Sequence, residues 1–219
     1  MHVVEIAKNI YYVGVDDKRN AIFEGIWPIP SGISYNAYLI VDEKVALIEG
    51  GVKIDFESQF LNKLSSIIDG SKIDYIVVNH MEPDHTGTLP ALYNQAKSAK
   101  ILVTRLGKTM LSNFYGISDE DRVITVNDND TVSLGKRELQ FLSTPSLHWP
   151  ETMMTYEKTG RILFSGDAFG AYGALNGSIF DDEVDLQFFL NEAKRYFANI
   201  IGIYTKPVLS AFSKLASLE

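Results

Sequence analysis

The sequence predicts a mixed α/β fold with helices lying outside packed sheets, and three observations carry that prediction. Apolar, β-branched runs of strand length recur along the chain, each closed by turn residues. Several intervals between them carry helical spacing. Paired strands come first and strand–helix alternation follows, the pattern of sheets covered by helices. No linker, charge run, low-complexity tract or internal repeat divides the 219 residues, so residues 1–219 read as a single domain.

The strand candidates are residues 10–15, 36–41, 45–49, 73–79, 101–104, 123–126, 139–144, 153–157 and 161–166. The first helix falls at 55–69, where Phe56, Phe60, Leu64 and Ile67 share a face and Asp55 is the expected N-cap. Further helices are expected at 88–97, 105–116 and 181–202. A last one, 206–219, has Pro207 at its start and Leu209, Phe212 and Leu215 or Ala216 on one side.

Composition narrows the function. A hydrophobic content of 46% supplies a core, and a formal charge of -8 without clustered Lys or Arg argues against nucleic acid and anionic membrane surfaces as partners. With no cysteine, thiolate metal sites, disulfides and a cysteine nucleophile are excluded, so any metal must sit on nitrogen and oxygen. Glu5 and Lys8 interrupt the N-terminus where a signal peptide would be apolar, and no apolar run reaches the roughly 20 residues of a membrane span. The expected location is the cytoplasm.

The chemistry concentrates in "NHMEPDHTGTLP", residues 79–90. His80, Glu82 and Asp84 alternate along what reads as an extended segment and can point one way, with His85 beside them, at the C-terminal edge of a buried strand where α/β folds place their sites. The alternative is capping, with Asp84 or Thr86 serving the helix at 88–97. Two further strand-end loops weigh against that. One holds His148 in "STPSLHWPE", the other Asp167 in "LFSGDAFGAYG". Alone, Asp167 would be a turn former; in company with His80 and His148 it reads as a ligand.

These pieces resemble the metallo-β-lactamase superfamily, whose signature is an H-x-[HE]-x-D-H loop followed by a distant His and then an Asp. Its zinc hydrolases usually have His at the second position, whereas its flavodiiron proteins have Glu, which here is Glu82. The blocks "GISYNAYLI", "NHMEPDHTGTLP", "TPSLHWPETMMTY" and "FSGDAFGAYG" are similar to those of the flavodiiron branch. The resemblance implies a metallo-β-lactamase-like αββα sandwich carrying two non-haem irons. His80, Glu82 and His148 would hold one, Asp84 and His85 the other, and Asp167 would bridge; His85 is the ligand that the family can release. A carboxylate in place of an imidazole hardens the site and favours redox iron over zinc.

The implied activity is reduction of O2 to water, NO to N2O, or both, with electrons from a flavodoxin-like or rubredoxin-like donor, and the resemblance also implies a homodimer. Two alternatives stand beside it, a diiron oxygen sensor without fast turnover and a zinc hydrolase. Tyr35, Trp149, Phe169 and Tyr172 adjoin the motifs and are either pocket residues for a gas or core aromatics. Glu49, which ends a strand, is expected to hydrogen-bond a ligand histidine. The family's last ligand is a His in a Pro-x-His-Gly-like loop, and no histidine follows His148. His2 is a poor substitute so near the N-terminus. The expectation is therefore a C-terminally incomplete domain, with FMN belonging to a missing domain or a partner.

Overall fold

The computed structural model describes residues 3–218; His2, weighed above as a substitute ligand, lies outside them. Seven strands form the larger sheet, in the order Val4–Ala7, Ile10–Tyr12, Tyr38–Val41, Val45–Ile48, Tyr75–Val77, Lys100–Val103 and Val123–Thr125. The last four run parallel. Thr131–Ser133, Glu138–Ser143, Met153–Glu157 and Ile162–Phe164 make a smaller antiparallel sheet.

Residues of the larger sheet alternate between two interiors, because successive strand side chains point to opposite faces. Ile40, Ile48, Val77 and Leu102 meet Leu139, Phe141, Met153 and Phe164 of the smaller sheet. Their chain neighbours Leu39, Leu47, Ile76 and Ile101 instead pack toward Phe60 and Leu64 of helix α1 (Glu57–Ser65). The short turn α2 (Pro83–Thr86) precedes α3 (Leu89–Gln95), and α3 and α4 (Arg105–Tyr115) add Leu89, Leu92 and Leu111 to that layer. Outside the smaller sheet, Tyr196, Ile200 and Ala211 from the segment holding α5 (Leu186–Tyr196) and α6 (Thr205–Leu215) pack with Leu142, Met154 and Tyr156. The layers are helix, sheet, sheet and helix, the expected sandwich.

Local details depart from the sequence reading. Asp55 does not cap α1: Phe56 occupies the N-cap without a side-chain bond, and Asp55 pairs with Lys53 at 3.6 Å. The helix expected from residue 181 begins at Leu186, where the Asp185 carboxylate accepts from Phe188 N, and it continues through a π-helical turn at Phe197–Ile201. The run at 10–15 splits at Gly14, where a Cβ would clash with the Tyr35 carbonyl. After that close approach, Val15–Asp17 pairs with Ile33–Tyr35 as a separate ribbon.

Candidate metal centre

The site gathers at the ends of strands from both sheets. His80 follows Tyr75–Val77 and Asp167 follows Ile162–Phe164, while His148 lies in the loop joining two strands of the smaller sheet. That loop is tied to itself: Thr152 Oγ1 donates to the Thr144 carbonyl at 2.6 Å and accepts from Leu147 N at 3.2 Å. Gly166, at φ 55, supplies the left-handed turn that brings Asp167 back to the centre.

The segment expected to run extended through Asp84 turns helical at Pro83 instead. Proline at the first helical position favours this, and Thr86 Oγ1 closes the turn onto the Met81 and Glu82 carbonyls at 3.1 and 3.0 Å. His80 and Glu82 therefore precede the turn, and Asp84 and His85 ride on it.

Four ligand-type atoms converge. One atom each from His80, Glu82, His148 and Asp167 all lie within 4.8 Å of one another. Glu82 Oε2 is 3.2 Å from both His80 Nε2 and His148 Nε2. Asp167 Oδ2 stands 3.3 Å from His148 Nε2 and 3.6 Å from His80 Nε2. Its other oxygen, Oδ1, faces His85 Nε2 at 3.0 Å, and Asp84 Oδ1 lies 3.8 Å from the same nitrogen. Asp167 thus presents one oxygen to each of two groups of side chains.

Electrostatics explain what holds this arrangement in the chain alone. Burial by itself would lower the His80 imidazolium, yet hydrogen bonds to Glu151 and Glu82 carry it up to about 9. His148 is raised to about 10 against burial by Asp167 and Glu82, and His85 goes well above its ordinary value against burial through the Asp167 charge. Burial would raise Glu82, but His148 and His80 bring it to about 2; Asp84 is pushed by burial up to about 6. Protons on imidazoles balance buried carboxylates, the role a cation would otherwise take.

The donor set fits a metal. With bond lengths near 2.1 Å, atoms sharing one cation lie about 3.0 Å apart in an octahedron and about 3.4 Å apart in a tetrahedron, close to the 3.2 and 3.3 Å edges here. Asp84 Oδ1 is buried without a hydrogen-bond partner, as a ligand atom would be.

Around the cluster, a cavity of about 320 Å³ is lined by Tyr35, Glu49, Asp84, Asp167, Phe169 and Tyr196, among others. Tyr35 donates its hydroxyl to Asp17 Oδ2 at 3.2 Å. Trp149 stands edge-on to His80, with ring centroids 5.1 Å apart, and does not line this cavity. Tyr172 does not line it either: it is fully buried between Phe23 and Tyr196, with its hydroxyl toward Asn199. Sequence reasoning missed Tyr196, which an α5 register would have placed on the buried face, and Glu151, whose signal was a carboxylate three residues after His148. Glu49 stands beside the site but without the hydrogen bond expected of it: Oε2 is 3.4 Å from His85 Nδ1, too long and poorly aligned for one, and Oε1 is taken by Asn79 Nδ2.

Comparison with known proteins identifies the family and the fold. Residues 33–202 match the family model described as ODP family beta lactamase. The nitric oxide reductase of Moorella thermoacetica is 41% identical over 217 residues, covering 99% of this chain and 54% of that protein. The rubredoxin-oxygen oxidoreductase of Megalodesulfovibrio gigas is 34% identical, with 98% and 53% covered. The crystal structure of the flavodiiron protein from Giardia intestinalis superposes with a TM-score of 0.94 at 32% identity, covering 100% of this chain and 53% of that one. The chain spans about half the length of the curated relatives it matches. It belongs to the ODP family of β-lactamases, and its fold is the metallo-β-lactamase-like diiron domain of the flavodiiron proteins.

Proposed function

We propose that residues 1–219 act as one domain, the non-haem diiron core of a cytoplasmic oxidoreductase that reduces O2 to water, NO to N2O, or both. The observation that carries this reading is Asp167 offering Oδ2 to the group of His80, Glu82 and His148 and Oδ1 to His85. On this reading His80, Glu82 and His148 would hold one iron, Asp84 and His85 would hold the other, and Asp167 would serve both.

Iron bound by these residues would supply the electrons for reduction of a diatomic gas. Everything else falls to the chain. Glu82 supplies charge in place of the neutral imidazole of the hydrolases, which favours iron over zinc. Tyr35, Phe169 and Tyr196 wall the cavity beside the cluster. Electrons come from a flavodoxin-like or rubredoxin-like donor, in keeping with the name of the Megalodesulfovibrio relative.

The test is anaerobic loading with Fe(II), metal analysis, and assay of O2 and NO consumption with a photoreduced flavodoxin or rubredoxin. The proposal expects two irons per chain and donor-dependent consumption of at least one gas. Stoichiometric zinc retained against excess iron, with neither gas consumed, would overturn it.

A further inference from the structure

We infer that two buried glutamates outside the ligand set, Glu151 and Glu49, are positioning residues that set the two halves of the centre separately, Glu151 through His80 and Glu49 through His85. The inference rests on the diiron reading above.

Glu151 is the tighter of the two. Its side chain is 1% exposed, and Oε1 accepts from His80 Nδ1 at 2.7 Å and from Met81 N at 2.9 Å. With Nδ1 held as a donor there, Nε2 is the nitrogen that faces Glu82 and Asp167 and the one that would give up its proton to a cation. The backbone of Glu151 is also anchored: its carbonyl accepts from Thr104 Oγ1 at 2.8 Å, and Thr104 caps α4. His80 is thereby referred to a helix of the scaffold.

Glu49 belongs to a different network. Its Oε1 accepts from Asn79 Nδ2 at 2.7 Å, and Asn79 Oδ1 in turn accepts from Thr155 Oγ1 at 2.7 Å. Oε2 is left without a hydrogen bond, 3.4 Å from His85 Nδ1. Glu49 reaches this point from a left-handed backbone, φ 65, unusual for a residue with a long side chain. A buried carboxylate in a costly conformation is not needed for packing, since a neutral residue of similar shape would avoid the desolvation. Its placement is explained by the imidazole it faces.

The two networks share no hydrogen bond. The His80 contact is short and doubly supported; the His85 contact is long and single. The half that Glu49 serves therefore has the weaker outer support, and it should load second and be lost first.

The experiment is an anaerobic titration of the metal-free protein with Co(II), followed by visible absorption and calorimetry, for wild type, Glu151→Gln and Glu49→Gln. Gln keeps the shape of each side chain and removes the charge. Wild type is expected to take two cobalts in distinguishable steps. Glu49→Gln should leave the first step and its spectrum unchanged and weaken the second by about 10–100-fold, the range seen when a ligand histidine loses its outer partner. Glu151→Gln should weaken the first step by a similar factor and shift its visible band. Should Glu49→Gln fail to fold, Glu49→Asp, which keeps the charge but shortens the reach, should weaken the second step alone. Both variants matching wild type in affinity and spectrum, or either changing both steps equally, would overturn the assignment. Wild type binding no cobalt would instead overturn the diiron reading itself.

Discussion

Metal should bind this chain as a competitor of protons. In the metal-free cluster His80 is held protonated up to about 9 and His148 up to about 10. A cation on both Nε2 atoms must displace both protons. At 1.36 kcal/mol per pKa unit, that displacement at pH 7 costs about 3 kcal/mol at His80 and about 4 kcal/mol at His148. Both values are raised, so both protons stay in place below pH 9, and affinity for the first cation should rise about 100-fold per pH unit between pH 6.5 and 8.5. The assay is calorimetric titration with Mn(II) in buffers of different ionisation enthalpy. About two protons should leave with the first cation. Release of less than one proton, or an affinity indifferent to pH across that range, would refute the reasoning.

Other consequences are open to simpler measurements. In the metal-free protein the raised histidines stabilise the fold below their unfolded value of 6.5, and that contribution is lost as pH rises through about 9 to 10. Glu82 acts in the opposite sense, stabilising above 4.5 and losing its effect as pH falls through about 2. The melting temperature of the metal-free form should therefore decline from pH 7 to pH 10, and loading with metal should flatten that decline. Glu82→His should move the Fe:Zn ratio toward zinc under equal loading, read by elemental analysis; an unchanged ratio would contradict the role given to that carboxylate. Thr104→Ala removes the side chain that accepts from Gly107 N at 3.2 Å and donates to the Glu151 carbonyl. It should cost about 1 kcal/mol, a fall of about 2–4 °C in Tm for a domain of this size.

The sequence was most legible where local chemistry and tertiary structure agree. Leu47, Ile76 and Ile101 belong to apolar runs because parallel strands are covered on both faces, and their neighbours Ile48, Val77 and Leu102 are buried as deeply. Those runs stood out as strands for that reason. His80 could be found because it follows such a run, and His148 and Asp167 because each follows an apolar run of the smaller, antiparallel sheet; the structure brings all three together with Glu82.

What could not be read depended on distant partners or on backbone detail. Thr131–Ser133 carries little apolar signal of its own and exists as a strand through pairing with Glu138–Ser143. The helical turn that moves Asp84 and His85 away from Glu82 is written in Pro83 and Thr86, but the alternation of charged residues suggested extension. Glu151 and Tyr196 reach the centre across 71 and 29 residues of chain, from His80 and to Asp167, so no local pattern announces them.

The most direct test is anomalous diffraction at the iron edge from crystals of the anaerobically Fe(II)-loaded protein. Two iron peaks are expected, one among His80, Glu82 and His148 and one beside Asp84 and His85, with Asp167 between them. A single peak lacking Glu82, or iron bound elsewhere on the chain, would contradict the account.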